Sequence, residues 1–212
     1  MPLVYQQNIN ASSKLAVWHI AEPEDYFLAK VPVSNNISHP HKRLQHLAGR
    51  LLLTELFVHF PLELIRIADT KKPYLHDEAF HFSISHCGDY AAAIVSTENR
   101  VGVDIEIVSG KIEKIKNKFL SDEEHEMISK LKPGNDQSLL IQWLTLAWSI
   151  KEAMFKWESN GRIDFRKHLQ INQISREGNV FIADCILQKE NPVALKVHGL
   201  LFNGNVLTWL VT

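Results

Sequence analysis

The stretch GVDIE, residues 102–106, lies inside VGVDIEIV, a run whose valines and isoleucines mark a β-strand. Alternate residues of a strand share a face, so Asp104 and Glu106 point together while Val103 and Ile105 point the other way. Two neighbouring carboxylates repel unless water screens them or a cation lies between them. A solvated face, or one neutralised by Lys and Arg, is the plain explanation of such a pair. A functional reading therefore needs a second signal.

That signal lies downstream, in WLTLAWSIKEAMFKWE, residues 143–158. On a helical wheel Trp143, Leu146, Ala147, Ile150, Ala153, Met154 and Trp157 form one apolar stripe, flanked by Leu144, Trp148 and Phe155. A helix this apolar is expected to be largely buried. Gln142, Thr145, Ser149, Glu152 and Lys156 fall on one narrow polar stripe, which suggests a cleft. An exposed i,i+4 ion pair would also account for Glu152 and Lys156, but it suits an exposed helix better than this one. If the stripe faces GVDIE, Glu152 adds a third carboxylate to Asp104 and Glu106. Oxygen donors alone suit Mg²⁺, whereas zinc would call for His or Cys. Since Mg²⁺ commonly takes substrate phosphates, the chemistry expected is that of phosphate.

The remainder of the chain narrows the class. Its 212 residues, 45% hydrophobic, suffice for one large or two small packed domains. With 23 basic and 24 acidic residues the formal charge is −1, so no global field draws the chain to nucleic acid or to an anionic membrane. Cys87 and Cys185 form neither a disulfide framework nor a CxxC site, which points to a reducing compartment. The N-terminal residues lack a signal-peptide layout and no apolar run reaches membrane-spanning length, so a soluble cytoplasmic protein is expected.

LAVWHI (15–20) reads as a first strand and residues 41–60 as a helix ended by Pro61. FHFSISH (80–86) alternates Phe80, Phe82 and Ile84 against His81, Ser83 and Ser85, and with AAAIV it makes a hairpin about Gly88-Asp89. Ser121 and Glu124 form a capping-box pattern that opens a helix to about Leu131. Residues 132–136 read as a loop, and a long helix runs from about Gln137 to Trp157, with Gly161 just past it. The last segment reads as strands turning at EGN and FNGN. Strands and helices in this order predict an α+β architecture.

GVDIE followed by WSIKEAMFK resembles the 4'-phosphopantetheinyl transferases, in particular the larger single-chain type that primes peptide and polyketide synthases. TKKPYL (70–75), FSISHCGDYAA (82–92) and HKRLQHLAGRLLL are similar to further segments of that family, in the family's order. One departure is Lys71, where the family has Gly before Lys-Pro. The resemblance implies two similar α/β halves related by a pseudo-two-fold, with the active site at their junction. Residues 1–100 would carry coenzyme A contacts, and 101–212 the metal site and catalytic helix. It implies transfer of 4'-phosphopantetheine from coenzyme A to a serine of an apo acyl or peptidyl carrier protein, releasing 3',5'-ADP. In that reaction Asp104, Glu106 and Glu152 would hold Mg²⁺, Glu152 would also serve as base, and Lys156 would neutralise phosphate oxygens. Asp104, Glu152 and Lys156 are thus the catalytic candidates. His86, Ser85, Lys72, Arg43 and Arg50 are the candidates for binding coenzyme A. A monomer is expected.

KIEKIKNKFL (111–120) mixes lysines with apolar residues and is a candidate docking segment for an acidic carrier helix, through Ile112, Ile115, Lys116 and Phe119. The same pattern also describes a segment packing on its own core. His39, His41 and His46 read as surface or capping residues. Two other functions use the same acids: a Mg²⁺-dependent phosphohydrolase, and a non-catalytic relative that binds coenzyme A or a carrier protein.

Overall fold

The computed structural model describes residues 2–32, 37–70, 72–131, 136–159 and 162–212. The architecture is α+β, and its contacts divide the chain into two compact units. The first comprises residues 1–105 with 211–212, the second residues 106–210.

In the first unit, β1 (Leu3–Asn8), β2 (Ser13–His19), β5 (His81–Cys87) and β6 (Tyr90–Ser96) form an antiparallel sheet ordered β1-β2-β6-β5. A short helix α1 (Glu24–Leu28) precedes the long α2 (Pro40–Leu56), and a two-stranded ribbon joins β3 (Arg66–Ile67) to β4 (Pro73–Tyr74). Helix α2 begins with Pro40 in its first turn and His39 as its cap, where a missing or side-chain-bound N–H costs least. Its apolar face, Leu47, Ala48, Leu51, Leu52 and Leu56, packs with Trp18, Phe27 and Phe82. Gly49 lets the helix approach β5: a Cβ there would lie 2.6 Å from Ile84 Cγ2. The hairpin predicted at Gly88-Asp89 is present, with Gly88 at a φ of 54°.

The chain passes into the second unit within β7 (Val101–Ile107), between Ile105 and Glu106. A 3₁₀ turn (Gly110–Lys114) and the helices α3 (Lys116–Phe119), α4 (Asp122–Leu131) and α5 (Gln137–Glu158) follow. β8 (Leu169–Glu177), β9 (Val180–Leu187), β10 (Val193–Phe202) and β11 (Asn205–Val211) are antiparallel, in a sheet ordered β7-β11-β10-β9-β8. The turns expected at EGN and FNGN carry positive φ at Gly178, Asn203 and Gly204. The capping box is reciprocal, Ser121 N–H to Glu124 Oε2 at 2.8 Å and Glu124 N–H to Ser121 Oγ at 3.2 Å. Trp143, Leu146, Ala147, Ile150, Ala153, Met154 and Trp157 are all buried, as their stripe predicted.

Three expectations need correction, and one strand is not legible in the sequence: for β1 only Leu3, Tyr5 and their polar neighbours speak, and most of the strand is exposed. Helix α2 stops at Leu56, not at Pro61: Phe57 is extended and its ring meets Phe80, while Phe60 packs on Phe80 and Phe82. The polar stripe of α5 is not a continuous cleft. Thr145 and Ser149 are buried, the latter bonded to Thr208 at 2.9 Å. Ile112 (8% exposed) and Phe119 (1%) belong to the core, so the exposed residues of the 111–120 segment are Lys111, Lys114, Asn117 and Lys118, with Glu113, Ile115 and Lys116 half-buried. Lys71, Gly161 and the 132–135 part of the expected loop lie outside the described residues. Among the described residues, no helix is long and apolar enough to cross a membrane.

Candidate active site

Asp104 is held by the strand beside it. Val103 N–H donates to Ser83 Oγ at 3.2 Å and Ile105 N–H to Ser85 Oγ at 3.3 Å, so β5 grips β7 through hydroxyls. The Ser85 hydroxyl in turn donates to Asp104 Oδ1 at 2.9 Å, and Asp104 is only 2% exposed. Ser83 and Ser85 of β5 are buried, as Phe82 is on the opposite side, because the serine side meets β7. Glu106, two residues on, is half-buried and accepts the Trp148 indole N–H at 3.0 Å. Glu152 and Lys156 are half-buried on α5, one turn apart. Asp104 belongs to the first unit, and Glu106, Glu152 and Lys156 to the second. Among the described residues, no three or more His, Cys, Asp or Glu side chains gather into a group able to hold a metal ion.

The first unit carries a cationic cluster. Arg50 is 4% exposed, and its Nε donates to His46 Nε2 at 2.7 Å. Its Nη1 is buried with no hydrogen-bond partner among the described residues. Burial, then the charges of Arg50 and His86, bring the His46 pKa down to about 4, so the ring is neutral and accepts. His86 is exposed at the end of β5. Leaving a donor such as Arg50 Nη1 unsatisfied in a buried site is costly. His46 is thus neither a surface nor a capping residue. Its spacing of four from Arg50 was the available signal.

The remaining candidates are placed differently. The Arg43 guanidinium is forked onto Glu24, with Nε on Oε1 at 2.5 Å and Nη2 on Oε2 at 2.7 Å. Lys72 is half-buried just before β4, and its carbonyl accepts Ala68 N–H at 2.9 Å.

Sequence reading missed Lys151, which lies inside the WSIKEAMFK motif and is 0% exposed. Its Nζ donates to Glu124 Oε2 at 2.7 Å, Phe119 O at 2.7 Å and Phe165 O at 2.9 Å, which satisfies all three of its protons. Burial lowers its pKa, and the Glu124 carboxylate opposes that shift.

A serine hydroxyl on Asp104, an indole on Glu106 and the motif helix α5 make up this geometry, and the family comparison gives the class. The model of the 4'-phosphopantetheinyl transferase superfamily matches residues 100–208, which takes in both GVDIE and WSIKEAMFK, and the chain belongs to that superfamily. It is 32% identical over 117 residues to 4'-phosphopantetheinyl transferase AcpT of Escherichia coli K12, covering 54% of this chain and 57% of that protein. To human L-aminoadipate-semialdehyde dehydrogenase-phosphopantetheinyl transferase it is 30% identical over 164 residues, 64% of this chain and 52% of the relative. To enterobactin synthase component D of Escherichia coli O157:H7 it is 32% identical over 118 residues, 54% of each. The chain thus spans little more than half the length of these relatives.

Proposed function

We propose that this protein transfers the 4'-phosphopantetheine group of coenzyme A to a serine of an apo acyl or peptidyl carrier protein, acting as a cytoplasmic monomer. The observation that carries the proposal is the family match across both β7 acids and the motif helix α5. The carrier serine Oγ attacks the pantetheine-side phosphorus, the bond from that phosphorus to the bridging oxygen breaks, and 3',5'-ADP leaves with the electron pair. Glu152 takes the serine proton. Lys156, one turn further along α5, neutralises phosphate oxygens as a point charge.

Asp104, Glu106 and Glu152 are the carboxylates that would hold Mg²⁺, whose preference is for oxygen donors and which would supply charge neutralisation at the pyrophosphate. Arg50, held by neutral His46 and with His86 close enough to act on that ring, receives the 3'-phosphate of coenzyme A. Lys72 lines the nucleotide. Ser85 contributes by placing Asp104, and Arg43 stays with Glu24. The 1–100 half would supply the coenzyme A contacts and the 101–212 half the metal site, in two similar halves about a pseudo-two-fold. Lys111, Lys114 and Lys118, with Ile115 and Lys116, offer a surface that is basic on balance, Glu113 being its one acid, to an acidic carrier helix.

The test is intact-mass analysis of apo acyl and peptidyl carriers incubated with the protein, coenzyme A and Mg²⁺, with an EDTA control. The expected result is one phosphopantetheine added to the carrier, abolished by EDTA and by Glu152→Gln. Hydrolysed coenzyme A with an unmodified carrier would replace transfer by hydrolysis. Binding of coenzyme A without turnover in the wild type would make the protein a non-catalytic relative.

A further inference from the structure

Glu106 is a flexible side chain near the end of a strand, yet its carboxylate is tied to an indole that has little room to move. The Trp148 ring stacks on Phe165 (centroids 5.4 Å apart, planes at 22°) and meets Phe119 edge-on (5.1 Å, 64°). Both of those residues are anchored through their backbone: Lys151 Nζ donates to Phe119 O and to Phe165 O. Lys151 is itself fixed by Glu124, whose carboxylate also accepts Ser121 N–H and Ile171 N–H at 2.8 Å each. One buried lysine thus holds the two aromatic residues that clamp Trp148, and Trp148 aims Glu106 by its N–H at 3.0 Å.

We propose that Trp148 is a positioning residue for Glu106, clamped by Phe119 and Phe165, which Lys151 ties together. The inference rests on the reading of Glu106 as a cation ligand given above. A glutamate loses rotamer freedom when it is ordered. An indole N–H that orders it beforehand removes part of that cost from cation binding. Outer partners of ligating carboxylates commonly change metal affinity by about 10- to 100-fold when lost.

The experiment is calorimetric titration of Mn²⁺, as a stand-in for Mg²⁺, into the full chain with coenzyme A present, for wild type and Trp148→Phe. Phenylalanine keeps an aromatic ring between Phe119 and Phe165 but has no N–H. Mn²⁺ affinity is expected to fall about tenfold or more. In the transfer assay the Mg²⁺ half-saturation should rise in step, with kcat at saturating Mg²⁺ little changed. A purely structural role would instead lower kcat and the melting temperature and leave affinity alone. Unchanged Mn²⁺ affinity in Trp148→Phe beside a binding wild type overturns the positioning role only. A wild type that binds no Mn²⁺ overturns the cation reading of Glu106 and the proposal with it. Should Trp148→Phe fail to fold, the wild type still decides: its assigned Trp148 indole ¹⁵N–¹H resonance should shift when Mg²⁺ and coenzyme A are added together, and an unmoved resonance overturns the proposal.

Discussion

Two buried cations, one in each unit, illustrate opposite uses of the same kind of burial. Lys151 on α5 has every proton on an oxygen, one of them carboxylate. Arg50 on α2 has a neutral histidine on Nε and an Nη1 with no partner among the described residues. A buried charge with its partners in place belongs to the structure and is destructive to disturb. One whose partner set is incomplete carries a costly unsatisfied donor, which under the proposed assignment a phosphate would complete.

The contrast is broken most severely at Lys151. Lys151→Met leaves the Glu124 carboxylate buried without its cation and two carbonyls without a donor, and should cost about 3–5 kcal/mol of stability in chemical denaturation. A loss under 1 kcal/mol would mean that Lys151 is not the hub of its unit.

At Arg50 the effect should appear in binding instead. Under the proposed assignment, Arg50→Gln should weaken coenzyme A by roughly 10- to 150-fold, the equivalent of about 1.5–3 kcal/mol for a hydrogen bond to a charged group. It should leave 3'-dephospho-coenzyme A unaffected and the melting temperature unchanged or raised. Equal losses for both ligands would move the anion elsewhere on coenzyme A.

The smallest effect concerns His46. Its pKa is depressed by burial from an ordinary value of about 6.5 to about 4. Between those values the unfolded chain binds the extra proton, so stability is present at neutral pH and falls as the pH drops through this window. His46→Gln keeps an acceptor for Arg50 Nε and removes the titration. The melting temperature of the variant should therefore decline less than that of the wild type between pH 6.5 and about 4, and parallel declines would show that His46 does not contribute.

What could be read from the sequence was what a short window encodes. The strand alternation of GVDIE, the Gly88-Asp89 turn, the Ser121/Glu124 cap and the apolar stripe of α5 are all decided by residues within a turn or two of each other. Lys151 fell outside that reach, because the partners that make its burial tolerable come from Phe119, Glu124 and Phe165, on other elements. The end of α2 was misread for a similar reason: Phe57 and Phe60 keep helical spacing but gain more from Phe80 and Phe82 than from another turn. Of the site, the acids and Lys156 were visible as motif letters. The roles of Trp148 and His46 depended on contacts that periodicity does not encode.

The serine grip on β7 also bears on how this protein can change over generations. An ordinary ladder between strands is made of peptide groups, so nearly any side-chain substitution leaves it standing. Here Val103 and Ile105 are held by the Ser83 and Ser85 hydroxyls, and one of those hydroxyls also holds Asp104. Strand docking and carboxylate placement therefore meet in the Ser85 codon, and any change that removes its hydroxyl would alter both at once.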